Sequence, residues 1–222
     1  SLEQFKNPVS DFIPVARIAD MLLNPGGSFD YNGGSYNYPD IDIIYWAGGN
    51  PFHHHQDLKR LLKGWKKPST IIVHDWCWNA LAKHADIVLP CTTPLERNDI
   101  AMSPMDNYFV SMQAAIPPVG NARDDFEIFR GIASRLGAEE IFTEGRSAED
   151  WQRWLYDVTK QASAREGQEL PPYDEFLKEG WFKLSAPEKA NVMLADFRAD
   201  PKANPLATPS GRIEIYSETI SN

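Results

Sequence analysis

Three short segments of this 222-residue chain carry groups that could meet a ligand. The first is Ala47-Gly48-Gly49-Asn50-Pro51-Phe52. Two consecutive glycines let the backbone approach a phosphate or a flat ring closely, and a helix that follows can offer N–H groups to an anion. An ordinary tight turn uses the same pair. The fingerprint G-x-G-x-x-G is absent, which counts against an enzyme using a nicotinamide dinucleotide. The second segment ends on Asp75, after Thr70-Ile71-Ile72-Val73-His74. A carboxylate there can take ribose hydroxyls or the paired N–H groups of a guanine edge; it can equally cap a helix. The third is Pro90-Cys91-Thr92-Thr93-Pro94-Leu95-Glu96-Arg97-Asn98-Asp99. Here Arg97 could clamp a phosphate while Glu96 or Asp99 holds its guanidinium, against the alternative of a surface ion-pair cluster. The run His53-His54-His55 invites a metal reading, but adjacent side chains diverge and rarely converge on one ion. These histidines fit better as hydrogen-bond donors to phosphate.

The elements around them explain why the three segments could share a site. Ile41–Ala47, Thr70–His74 and Ile87–Leu89 read as short buried strands, of the apolar kind found in parallel sheets. Between the first two, Gln56 to Lys63 places Leu58, Leu61 and Leu62 on one helical face, closed by Gly64. Residues 76–83 fit one more short helix. Strand, helix, strand, helix, strand with short connections is the mark of a parallel sheet, and ligands sit at the carboxyl ends of such strands. The expectation is an α/β fold: a Rossmann-like parallel sheet flanked by helices, with a helical C-terminal annex.

The remainder sorts into four stretches. Residues 1–39 hold a helix after Pro14 and a loop or irregular hairpin from 28 to 39. Residues 40–140 form the Rossmann-like core, to which Tyr108 to Ala114 adds a strand and Asp125 to Leu136 an amphipathic helix capped by Asp124 or Asp125. Residues 141–205 are a helical annex, with helices over 147–164 and 172–178. Residues 206–222 are extended, Pro201 to Gly211 being Pro-rich and Ile213-Glu214-Ile215-Tyr216 alternating as a strand.

Composition sets the class. A net charge of -9 disfavours a general nucleic-acid surface, and no apolar stretch is long enough to span a bilayer. The two cysteines, Cys77 and Cys91, form no CxxC pair. Both chain ends read as cuts through a longer protein.

The chain resembles the dimethyl sulfoxide reductase family of molybdenum enzymes, within it the branch of biotin sulfoxide and trimethylamine N-oxide reductases. The resemblance rests on Ile13-Pro14-Val15-Ala16-Arg17-Ile18, on Tyr45 through Leu58, on Ala85-Asp86-Ile87-Val88-Leu89-Pro90, on Leu95-Glu96-Arg97-Asn98-Asp99-Ile100, and on Asn204-Pro205-Leu206 with Thr208-Pro209-Ser210-Gly211. Residues 195–201 and the triple His lean towards biotin sulfoxide reductase. It implies a molybdenum held by two molybdopterin guanine dinucleotides, with this segment as the third domain, holding one of them. By position the family's contacts fall on Gly49, Asn50, His54, His74, Asp75, Thr93, Arg97 and Asp125; Gly48 and Asp99 join them from the reading of the loops.

The resemblance leaves no catalytic or metal-ligating residue in this chain. The serine that ligates molybdenum and the C-terminal barrel would lie outside it, so the isolated segment is expected to be inactive and free of the cofactor. The intact enzyme would transfer an oxygen atom from a small S-oxide or N-oxide. Its partners would be the remaining domains of the polypeptide and an electron donor protein or NADPH. The location would be cytoplasmic, or periplasmic if a twin-arginine signal precedes it. The rival reading is a non-catalytic guanine-nucleotide-binding module of the same fold.

Overall fold

The computed structural model describes residues 6, 8–103, 107–185 and 192–218; the termini at 1–5 and 219–222 lie outside them. The chain divides into two compact units, residues 1–184 and 185–222.

In the first unit a single 3-10 turn over Val15–Arg17 leads into α1 (Ile18–Leu23). The hairpin alternative for 28–39 is realised as antiparallel β1 (Ser28–Tyr31) and β2 (Gly34–Asn37). Then come β3 (Ile43–Ala47), one turn of helix α2 (Pro51–His54), α3 (Leu58–Trp65), β4 (Thr70–Asp75) and β5 (Ile87–Pro90). The three strands pair in parallel in the order β3-β4-β5, so β4 is central. Its residues Ile71, Val73, His74 and Asp75 are buried, as a strand covered on both faces requires. At its start the Ile71 N–H donates to the Asp86 carboxylate at 2.8 Å, which ties the entry of β5 to β4.

Two local expectations change. Gly64 does not stop α3, which runs on to Trp65. A Cβ at Gly64 would meet Leu22 Cβ at 3.0 Å, so the glycine sits where α1 crosses α3 closely. Residues 76–83 do not form the expected helix; a 3-10 turn, Ala82–His84, is all that follows. The Asp75 carboxylate accepts from the N–H groups of Trp76 and Cys77, and the Asn79 side chain accepts from Ala82 N–H. These side chains offer the backbone a non-helical way to satisfy its donors.

The first core gathers Met21, Leu22, Phe29, Tyr38, Leu61, Trp65, Ile71, Val73 and Leu81. Trp65 is its largest member: it is 2% exposed, meets Phe52 and Trp46 ring to ring, and donates its indole N–H to His84 O at 3.0 Å.

Beyond β5, an antiparallel sheet is built from β6 (Asp99–Met102), β7 (Tyr108–Met112) and β8 (Trp181–Lys183) in the order β6-β7-β8. The sequence suggests only β7 of these; β8 is three residues long and is recruited by pairing, not by its own pattern. The helices are α4 (Asp125–Arg135), α5 (Glu139–Thr143), α6 (Ala148–Arg165) and α7 (Tyr173–Glu179). Phe109, Tyr156, Leu170, Tyr173 and Phe176 form the second core under this sheet.

In the second unit, α8 (Ala195–Ala199) is followed by turns, not by an extended segment. Asp200 Oδ1 accepts from Lys202 and Ala203 N–H, and Leu206 N–H returns to Gly211 O. Residues 213–216 are not a strand: Ile215 is fully exposed, and no partner strand lies beside it among the described residues. Alternation alone does not make a strand without a neighbour to pair with.

The loop after β5 is held by one carboxylate. Glu96 Oε2 accepts from Thr93 N–H and Thr93 Oγ–H at 2.7 and 2.8 Å, and Oε1 accepts from Val119 N–H at 2.7 Å. The Thr93 and Val119 N–H groups, with the Thr93 hydroxyl, hold the Glu96 carboxyl below its ordinary value.

Two outcomes follow from this architecture. Trp65→Ala is expected to destabilise the chain by about 3–5 kcal/mol, read as a shift of the urea midpoint; a loss under about 1 kcal/mol would remove Trp65 from the centre of the core. A carboxyl with a depressed folded-state pKa contributes stability that is present above its unfolded value and lost as pH falls through its folded value. The melting temperatures of wild type and Glu96→Gln should therefore differ most near neutrality and begin to converge only as pH falls below the ordinary glutamate value of about 4.3. A difference independent of pH would show that Glu96 acts by shape and not by charge.

Candidate functional site

The parallel register determines what the carboxyl edge contains. Ala47 lies opposite His74, and Asp75 opposite Pro90. Strands are spaced by about 4.8 Å, so three neighbouring exits span about 10 Å. Gly48–Asn50, Asp75 and the segment from Cys91 onward therefore leave one edge together.

At the β3 exit both glycines have positive φ, 84° at Gly48 and 72° at Gly49. A Cβ at Gly48 would meet nothing within 4 Å, whereas one at Gly49 would come 3.6 Å from His54 Cε1. The turn is thus strained for other residues and open to the outside at Gly48. Trp46 Nε1 donates to Gly48 O at 2.8 Å and holds the turn down. Asn50 caps α2 by accepting from Phe52 N–H. The expected helix N-terminus for an anion is weak here: α2 has one turn, and α3 is already capped by the Asp57 carboxylate. Burial, with His54 alongside, lowers the basicity of His55. Among the described residues no three His, Cys, Asp or Glu side chains gather as a metal set.

At the β4 exit His74 is not at the surface. Its side chain is 1% exposed, and both ring nitrogens are engaged. Nδ1–H donates to Asp125 Oδ1 at 2.6 Å, and Nε2 lies 2.5 Å from Tyr45 Oη. A carboxylate can only accept, so with a neutral ring the chain runs from Tyr45 O–H through His74 to Asp125. Burial first, and the Asp125 charge second, raise the pKa of Tyr45 and keep its proton in place. Asp124 caps α4, which frees Asp125 for this bond with its side chain still 44% exposed. Asp75 behaves differently. Its Oδ1 takes two backbone N–H groups and Oδ2 takes Asn79 Nδ2–H at 2.7 Å, leaving Oδ2 with capacity for one more donor.

At the β5 exit the structure decides which carboxylate holds Arg97. Glu96 is occupied with Thr93 and Val119, as described; Asp99 Oδ2 takes Arg97 Nε–H at 3.4 Å, and Thr92 O takes Nη1–H at 2.9 Å. Asp99 is the first residue of β6, not part of a loop. Cys91 is pushed up to about 11 by burial and by the charges of Asp125 and Asp75, so it remains a thiol, in keeping with a packed role.

Two residues escaped the sequence reading. Trp76 and Trp78 directly follow Asp75 and are 68% and 72% exposed. They leave large aromatic faces in solvent at the carboxyl edge of the parallel sheet; their position just after a strand that ends on a carboxylate is the available signal.

A family model described as molybdopterin oxidoreductase matches residues 20–135. The chain is 46% identical over 225 residues to biotin sulfoxide reductase of Cereibacter sphaeroides, covering 100% of this chain and 30% of that protein. It is 48% identical over 211 residues to the dimethyl sulfoxide/trimethylamine N-oxide reductase of the same organism, covering 94% and 26%. Against the trimethylamine-N-oxide reductase of Haemophilus influenzae the identity is 44% over 214 residues, with 93% and 26% covered. This chain thus spans less than a third of the length of these relatives. Among solved structures, acetylene hydratase from Pelobacter acetylenicus shares the fold with a TM-score of 0.53 at 22% identity, over 83% of this chain and 23% of that one. The matched stretch runs through all three parallel strands to the end of α4, and the chain belongs to the molybdopterin oxidoreductase family, whose cofactor is a molybdenum-bearing pterin.

Proposed function

We propose that this chain binds the guanine end of a molybdopterin guanine dinucleotide at the carboxyl edge of β3, β4 and β5, as one Rossmann-like domain of a larger S-oxide or N-oxide reductase. The observation that carries the reading is the in-phase exit of three parallel strands, with Gly48–Asn50, Asp75 and Thr93–Arg97 on one edge.

The donor set suits such a group. The open, positive-φ turn at Gly48 and Gly49 leaves room for phosphate or ring, with Asn50 and His54 beside it. Asp125, with one oxygen on His74 and much of its side chain exposed, and Asp75 Oδ2 are acceptors for guanine N–H groups. Trp76 and Trp78 offer flat faces to a purine. Arg97, held by Asp99, faces phosphate, and the Thr93 hydroxyl can still accept. His74 acts through Asp125 as a positioning residue. The bound molybdenum centre would supply oxygen-atom transfer; the residues here hold and orient the nucleotide.

The remaining assignments are part of the same reading. Residues 40–140 are the nucleotide core, 141–205 the annex, and 206–222 a lead towards a further domain. The intact protein would work on a small S-oxide or N-oxide, as the names of its relatives biotin sulfoxide reductase and trimethylamine-N-oxide reductase suggest, with an electron donor protein or NADPH. No helix among the described residues is long and apolar enough to cross a membrane. On its likeness to biotin sulfoxide reductase we place the protein in the cytoplasm, or in the periplasm if a twin-arginine signal precedes this segment.

The test is calorimetric titration of the chain with guanosine and adenosine diphosphates. Guanosine diphosphate should bind about tenfold more tightly, the worth of one hydrogen bond to a charged group. Asp125→Asn keeps an oxygen for His74 but replaces an acceptor with an NH2 group, so it should remove that preference. Equal affinities in the wild type, or an adenine preference, would overturn the assignment. The full-length protein should oxidise reduced viologen with biotin sulfoxide or trimethylamine N-oxide, and the isolated chain should not. Absence of both activities in a molybdenum-loaded full-length protein would leave only the binding-module reading.

A further inference from the structure

A groove of about 490 Å³ lies between α4 and the loop that follows β5, lined in part by Thr92, Glu96, Arg97, Arg123, Asp124 and Arg130. Arg123 is fixed there by its backbone. Its N–H donates to Pro90 O at 3.0 Å, its carbonyl accepts from Thr92 N–H at 3.0 Å, and it bridges Cys91 in parallel beside β5. The segment before α4 thus extends the sheet by one residue pair and delivers the Arg123 side chain to the groove.

The groove's acceptors are satisfied, as is Arg130, whereas Arg97 and Arg123 keep donors to spare. Glu96 takes three donors, Asp124 caps α4, and Glu127 pairs with Arg130 at 2.7 Å. By contrast, the Arg123 guanidinium has no hydrogen bond or ion pair among the described residues, and Arg97 leaves Nη2 unused beyond its bonds to Thr92 O and Asp99. Thr92 is 4% exposed, and its Oγ1 has no hydrogen-bond partner among the described residues. A buried hydroxyl without a partner is unfavourable, and Arg123, exposed at the mouth of the groove, has its guanidinium free to take an anion. The complement of two guanidinium edges and a hydroxyl is an anion with several acceptor oxygens. A carboxylate offers two oxygens in one plane and a single charge. A phosphate offers oxygens in three directions and up to two charges, which matches both arginines.

We propose that Arg123, Arg97 and Thr92 form a phosphate-binding site on the β5 side of the edge. It shares Arg97 with the nucleotide reading but does not rest on it, because a bare phosphate satisfies these groups. The source is either free phosphate or the phosphate of a bound nucleotide.

The experiment is calorimetry on the chain at constant ionic strength with inorganic phosphate, acetate, guanosine and guanosine diphosphate. Phosphate should bind and acetate should not. Arg123→Gln, which removes no side-chain hydrogen bond or ion pair among the described residues, should weaken phosphate about tenfold and leave guanosine unchanged. Thr92→Val should raise the melting temperature without phosphate and abolish the stabilisation that phosphate confers. If Arg123→Gln weakens the diphosphate as well, the groove receives the nucleotide's phosphate; if inorganic phosphate alone responds, the site serves a free anion. No phosphate binding in the wild type, equal binding by acetate, or an unchanged Arg123→Gln would overturn the proposal. Loss of guanosine binding alone would instead count against the nucleotide reading.

Discussion

The register of β4 is the constraint on which the rest of the structure depends. Paired in parallel on both sides and buried along its length, β4 can shift against neither neighbour without moving apolar side chains out of the first core. Because the three strands run the same way, their exits fall on one edge, and every candidate contact from Gly48 to Arg97 is brought there by backbone pairing and not by its own chemistry. The pin between Asp86 and Ile71 N–H, at the opposite end, keeps the exit of β5 level with that of β4.

Three carboxylates, Glu96 and Asp75 buried and Asp125 half-exposed, do most of the local shaping. Glu96 folds the loop after β5 around its two oxygens. Asp75 turns the chain after β4 away from a helix, and in doing so leaves Trp76 and Trp78 in solvent. Asp125 is oriented by a histidine that never reaches the surface. Each of these groups reads in sequence as a candidate ligand contact. In the fold each first satisfies backbone or side-chain donors, and what remains for a ligand is a residual acceptor: one lone pair on Asp75, an exposed oxygen on Asp125. The arginines show the reverse. Among the described residues Arg97 is partly matched and Arg123 has no hydrogen bond or ion pair, so the outer side of the edge is short of anionic partners.

The three parallel strands are legible as short continuous apolar runs bounded by turn residues, and α3 and α4 by apolar positions recurring at helical spacing. Residues 76–83 were misread because helical spacing there competes with the Asp75 and Asn79 side chains, which give the backbone closer partners. Residues 213–216 alternate like a strand but find no neighbour among the described residues, and β8, at three residues, carries too little pattern to be seen. Gly64 looked like a stop because glycine ends many helices; its reason is the nearness of Leu22, a contact 42 positions away in the chain.

The sequence by itself determined the parallel α/β core, the turn at Gly48 and Gly49, and the family, because these depend on local periodicity and on long contiguous stretches of residue identity. Only the tertiary structure decided that Asp99 and not Glu96 holds Arg97, that the buried His74 bonds Asp125, and that Arg123 stands beside Thr92. The physical reason is the same in each case. Which donor meets which acceptor depends on strand register and on loops closing over tens of residues, and neither is written in the spacing of the residues involved.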